Sequence, residues 1–339
     1  LLLRQAKLTH AEHLLLETLL AALDEVGVVK QKQVLQAWRV ACEREEVGDE
    51  AEGRDERRLA SVLESLDAEQ RYICEPLLRE GFLQVEAGKR RDGLRLLERA
   101  AAQAIESAPL NLLIGVEHFR ARKMTLARAY LERAARADAE DAGAALLLGL
   151  ALVDVGGETD EAVRLLRRAV KSLKKSFAGS YALGRLRASE GRWGQALVEF
   201  KRALSARPCP EANFVVGLAC HVLGREELAW RYVSKALGED TRYPVALFLA
   251  GVIQTRLGEP RKARELFSLA RALGLDAPPV TRSAKSRAGQ ASDEFIVSSF
   301  LGAGREIRKG LLLVGDERLA ALLIEDALES VKVDSFSQS

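Results

Sequence analysis

Apolar residues recur along this chain at helical spacing, and the helical pattern itself recurs about every 34 residues. The phase is set by Gly81, Gly115, Gly149, Gly184, Gly217 and Gly251, which are 34, 34, 35, 33 and 34 residues apart. Seven positions after each stands a turn residue: Gly88, Arg122, Gly156, Gly191, Gly224 or Gly258. A small residue follows (Gly93, Ala127, Ala162, Ala196, Ala229, Ala263), and seven positions later an alanine (Ala100, Ala134, Ala169, Ala203, Ala236, Ala270). Between the two small positions lies a larger one: Leu97, Leu131, Leu166, Phe200, Val233 or Phe267. This pattern predicts antiparallel helix pairs, with no strand, over residues 74–275. Small side chains seven residues apart share one helix face and allow a second helix to approach closely. The glycine between the helices supplies the left-handed conformation that ends the first of them. The larger residue is expected to fill the gap between successive pairs.

The pattern, over about residues 74–274, resembles the tetratricopeptide repeat (TPR) family. The resemblance implies an all-α fold, a right-handed α-solenoid of TPR helix pairs with six clear repeats. The aromatic residue that the family places three positions after the crossing glycine is replaced here by Gln84, His118, Leu152, Arg187, Cys220 and Gln254. A divergent C-terminal unit is expected over 293–339, as a seventh repeat or cap followed by a tail, because Gly315, Ala320, Ile324 and Ala327 reproduce the turn-small-large-small spacing. Its helices are expected over 301–314 and 316–330, meeting at Ala320 and Ala327. Residues 276–292, with Pro278, Pro279, Arg282, Lys285 and Arg287, read as a polar linker. At the other end, Leu8, Leu15, Leu19 and Leu23 at helical spacing, ended by Gly27, predict an N-terminal helical hairpin over 1–47. Residues 48–73 read as a charged linker and a short helix that lead into the first repeat.

Composition supports helices and narrows the chemistry. The 339 residues are 48% hydrophobic and 29% charged, with 5% aromatics and 8 prolines, the balance of a core-forming helical chain. A net charge of +2 lacks the clustered basic footprint of a nucleic-acid domain. Cys42, Cys74, Cys209 and Cys220 form no C-x-x-C pair, so free thiols are expected. His10, His13 and Glu17 share a helix face and are the best metal candidate, yet a polar stripe explains them better, since tight sites bring four ligands and supporting partners. Asp154, Glu158, Asp160 and Glu161 lack the alternating spacing of a calcium loop. Gly302 and Gly304 follow no strand and make no phosphate loop. No catalytic constellation, cofactor or metal site is expected. No apolar run reaches the roughly 18 residues of a membrane span. The chain begins at Leu1 without Met, so an upstream segment, including a signal peptide, stays open and cytoplasmic is the default expectation.

The resemblance also implies a binding surface. In the family, first helices line the concave face through positions three before, one after and four after the crossing glycine. Here these are Leu78, Phe82 and Val85; Leu112, Val116 and Phe119; Leu146, Leu150 and Val153; Tyr181, Arg185 and Ala188; Phe214, Leu218 and His221; and Phe248, Val252 and Thr255. They contain no match to the Lys/Asn/Asn/Lys/Arg clamp with which some members hold a chaperone's terminal carboxylate. The set is apolar. The expected partner-binding residues are Leu112, Val116, Phe119, Leu146, Leu150, Tyr181, Arg185, Phe214, Leu218, His221, Phe248 and Val252, with Tyr181, Phe214 and Phe248 as a ladder of anchors. The opposing expectation is that one of the chain's own flanking helices fills the groove. A non-catalytic scaffold or adaptor, binding an apolar or helical segment of another protein within a larger complex, fits best. An assembly or maturation factor is the alternative. An RNA-binding helical repeat is disfavoured because Arg185 is the one basic residue among these positions. No nucleic acid or direct membrane span is expected, and self-association stays open.

Overall fold

The computed structural model describes residues 56–156, 158–173, 175–277, 287–301, 312 and 317–334. The expected N-terminal hairpin, and with it His10, His13 and Glu17, lies outside the described residues. The chain divides into two units, Leu1–Glu64 and Ser65–Ser339. In the first, residues 56–64 form a helix.

The second unit is an all-α, right-handed solenoid with no strand among the described residues. Its helices are α1 (Ala68–Glu86), α2 (Arg90–Gln103), α3 (Ala108–Arg120), α4 (Met124–Ala137), α5 (Ala142–Val155), α6 (Thr159–Ser172), α7 (Phe177–Ser189), α8 (Trp193–Ala206), α9 (Pro210–Val222), α10 (Glu226–Glu239), α11 (Pro244–Arg256) and α12 (Pro260–Ala272). They pack as six consecutive antiparallel pairs, and each second helix also packs on the first helix of the next pair. Two further helices follow, α13 (Arg287–Leu301) and α14 (Glu317–Asp334).

The repeat phase maps onto the packing. Every turn position has a positive φ, from +72° at Gly224 to +84° at Gly156 and Gly258, and Arg122 joins them at +56°. Five of the six first helices begin on side-chain caps: the Asp67 carboxylate, the hydroxyls of Ser107 and Ser176, the Asp141 carboxylate and the Cys209 sulfur each accept a backbone N–H three residues on. The crossing glycines need their missing side chain. A Cβ at Gly115 would lie 2.8 Å from Leu131, at Gly149 2.8 Å from Leu166, and at Gly217 2.5 Å from Val233. The larger residue therefore packs over the crossing glycine of its own pair, rather than filling the space between pairs. The small residues on either side of it, such as Ala196 and Ala203, are fully buried. Ala196→Leu should cost about 1–3 kcal/mol through overpacking at that crossing. A denaturant midpoint equal to the parent's would contradict the assigned register.

These two C-terminal helices depart from the expected stack. α13 starts at Arg287, inside the expected linker, and the expected helix over 301–314 falls almost wholly outside the described residues. α13 packs chiefly on α7 and α11, and α14 on α3, α5 and α7. Ala320 and Ala327 are fully buried, as a small-residue seam should be. Their partner surface is the row of first helices inside the solenoid. The inner row is apolar and otherwise open to water. Covering it takes apolar area out of water, which is the driving term.

Candidate functional site

The first helices α3, α5, α7, α9 and α11 stand side by side, with α3 touching α5, α5 touching α7 and α9 touching α11. They bring the predicted face together. Leu146, Leu150, Val153, Tyr181, Arg185, Phe214, Leu218, His221, Phe248 and Val252 are buried, as are Val116 and Phe119. Leu112 and Thr255 are half-buried. Leu78 and Phe82 of the first pair are buried too, with Val85 half-buried.

As an open ladder of anchors, the three rings need correcting, because the chain itself covers them. Tyr181 has no exposed surface and lies between Phe177 (ring centroids 5.9 Å apart) and Phe200 (5.7 Å). Phe214 packs on Tyr243 at 5.2 Å. Phe248 lies 5.2 Å from Phe267 and meets Phe295 of α13 edge-on at 5.3 Å. The same phase that points these side chains inward puts them under α13. Phe300 of α13 lies edge-on to Phe200 at 6.0 Å, and the Arg185 guanidinium sits 4.2 Å from its ring centroid. One continuous core joins the inner face to Ile296, Phe300, Leu319, Leu323 and Ala327.

Polar contacts fix the register of the cover. The His221 ring bonds the Glu226 carboxylate through Nδ1 at 2.8 Å and the Asp293 carboxylate of α13 through Nε2 at 3.0 Å. Arg256 pairs with Asp293 as well. On α14, Arg318 pairs with Asp240 and, at 3.1 Å, with Glu211, while Glu325 meets Arg207 at 2.8 Å. Arg122, at the one turn position that is not glycine, meets Glu317 at 2.6 Å. The Ala178 N–H in the first turn of α7 donates to the Asp326 carboxylate at 2.8 Å. A helix start offers unpaired N–H groups and a positive dipole end, so an acid from another helix fits there. A Cβ at Gly143, at the start of α5, would lie 3.2 Å from the Val331 side chain. α14 thus runs from the starts of α9 and α11, past that of α7, to that of α5.

Burial works against the His221 imidazolium, but the hydrogen bonds and negative charge of Asp293 and Glu226 outweigh it and raise its pKa above the ordinary value. Asp293 responds in reverse: burial pushes its carboxyl up, and His221 and Arg256 together hold it below the usual range. Burial raises Asp326, and the Ala178 and Phe177 N–H groups only partly offset this. A raised His221 contributes fully below its ordinary pKa of about 6.5 and loses that contribution as pH rises through the raised value. Asp326 has the same sign, lower on the scale. The depressed Asp293 matters only on acidification below about pH 4. Attachment of α13 should therefore weaken as pH rises from about 6.5 through the raised His221 value, and that of α14 as Asp326 ionises at lower pH. Amide exchange corrected for its intrinsic pH dependence checks this. Lower protection at the higher pH, flattened by His221→Gln, is expected; equal or greater protection there would contradict the network.

Among the described residues no group of three His, Cys, Asp or Glu side chains is placed to hold a metal ion, and no helix is long and apolar enough to cross a membrane. Cys74 and Cys220 are buried, and burial pushes the half-buried Cys209 thiol up to about 11. Asp293, Arg318 and Asp326 lie outside the repeat phase. Their available signal is charge at helical spacing on an amphipathic segment, Arg318 seven residues before Glu325.

Six helix pairs in a 34-residue phase, glycine against a larger residue at each crossing and a shared inner face define a helical-repeat solenoid. Residues 112–177 and 181–244 match the tetratricopeptide repeat model, and that stretch of the chain is built of tetratricopeptide repeats. Solved structures similar in fold include MamA, 20% identical with a TM-score of 0.43 over 47% of this chain and 94% of that one. Another is YrrB, described as a TPR protein with an unusual peptide-binding site, 21% identical with a TM-score of 0.46 over 53% of this chain and 93% of that one. No curated protein sequence matched the chain.

Proposed function

We propose that this protein is a non-catalytic scaffold or adaptor whose inner face seats an apolar helical segment of another protein. The observation that carries the reading is α14 itself. An amphipathic helix, with Leu319, Ala320, Leu323 and Ala327 buried, already lies across the first helices of several repeats. Amphipathic helices bind grooves through such i, i+4 and i+8 anchors. The seat for a partner is the set Leu112, Val116, Phe119, Leu146, Leu150, Tyr181, Arg185, Phe214, Leu218, His221, Phe248 and Val252, with its rings supporting the floor. The partner is a protein, held as one subunit beside another.

The reading is tested on the full chain carrying Ala327→Arg, which forces α14 off its seam. A fluorescent 18-residue amphipathic helix of Leu, Ala, Lys and Glu should bind that variant saturably. A variant that stays folded, with α14 amides exchanging freely, yet binds no amphipathic helix would exclude an inner-face seat.

A further inference from the structure

Resting on that reading, we infer that α14 is an intrasteric occupant, and that the partner is an amphipathic helix of the same charge register which displaces it: a basic residue at the start, then adjacent acidic residues seven and eight positions later.

The array does not depend on α14 for its own closure. Each of the six pairs packs on the next without it. What α14 contributes is a ligand-like set of contacts: it bridges several first helices, and it bonds groups 118 and 148 residues away in sequence. Its register is written in charge. Arg318 faces Glu211 and Asp240; Glu325 faces Arg207; Asp326 takes the Ala178 N–H. These receptor groups sit at the ends of repeat helices, where any helix laid in the same direction meets them.

The fit in cis is incomplete. A cavity of about 340 Å³ lies beside the first turn of α14, lined by Phe214, Tyr243, Phe300, Arg242, Arg318 and Leu319. Aromatic rings and guanidinium groups together suit an aromatic side chain, which stacks on both. Asp326 is held with its carboxyl pushed up by burial, a further sign of a contact short of its optimum. The exposed ion pairs add little, since surface pairs contribute about 0–1 kcal/mol. A partner helix carrying an aromatic residue at the position of Leu319 fills the cavity and keeps the charge register. α14 holds the seat through tethering, which raises its effective concentration to the order of millimolar.

The probe is a labelled peptide of Glu317–Asp334, offered to full-length chains. The Ala327→Arg chain should bind it at least about 100-fold more tightly than the parent, because the tethered competitor is gone. A peptide with Leu319→Phe should bind tighter still, and one with Arg318→Glu and Asp326→Lys at least about tenfold more weakly. A second variant guards against misfolding: Gly143→Cys with Val331→Cys places two Cβ atoms within disulfide reach. Oxidised, it should refuse the peptide. Reduced, it should bind like the parent. If the Ala327→Arg chain binds the generic amphipathic helix as well as this peptide, the charge register is overturned while the helix-binding face stands. If the oxidised chain binds the peptide as the reduced one does, the occupant role of α14 is overturned. If no helix binds any folded variant, the helix-binding face falls with it.

Discussion

Changing Phe214 and Phe248 together to Ser should sharply lower the thermal midpoint of the chain. Each ring is almost fully buried, at 4% and 2% exposure. Phe214 supports Tyr243 at the entry to α11; Phe248 lies between Phe267 of α12 and Phe295 of α13. Truncating a buried Phe costs about 3–5 kcal/mol, and a buried hydroxyl without a partner adds to that. The loss should be largest in the fifth and sixth pairs and α13, because each repeat packs mainly on its neighbours. Amides of α1–α4 should keep their parent protection. A double variant with the parent's midpoint would mean the rings are exposed anchors and that α13 is misplaced.

Phe200→Ala should cost about 3–5 kcal/mol from a single site. Phe200 is fully buried and lies directly over Gly184, so the residue that fills the fourth crossing also supports Tyr181 and Phe300. Its loss opens a space that the helices can close only by leaving their register. The effect should appear twice in a urea titration followed by hydrogen exchange: lower protection in α7 and α8, and lower protection in α13, which rests on the same ring. Loss in α7 and α8 with α13 untouched would separate the repeat crossing from the cover.

The crossing and turn positions were legible in the sequence because their constraints are local. A glycine facing Leu131 or Val233 at contact distance admits no substitute, and that demand returns with every pair. Arg122 was legible from phase alone, although its residue type argues against the φ of +56° it adopts. The inward direction of Tyr181, Phe214 and Phe248 was legible for the same reason. A flanking helix as cover was among the expectations; which helix, and where it lies, was not legible. Ala320 and Ala327 announce a helix with a small-residue seam, and such a seam packs equally well on the end of the stack or against the inner row. The choice depends on how α14 meets α3, α5 and α7 together, a tertiary matter with no signature in the spacing. Asp326 shows the same limit: an acid on a helix face reads as solvated until the start of α7, 148 residues away, is brought against it.

Amide hydrogen exchange of residues 317–334 in the full-length chain, beside the Ala327→Arg variant, bears most directly on the inner face as a helix seat. The central amides of α14, about Leu319 to Leu328, should exchange far more slowly than those of the free peptide of the same sequence. Ala327→Arg should release them while α5–α10 keep their protection, leaving a folded array with the α3–α7 part of its face open. Free exchange of these amides in the parent chain would mean that α14 does not lie on the inner face and that this face is not a helix seat.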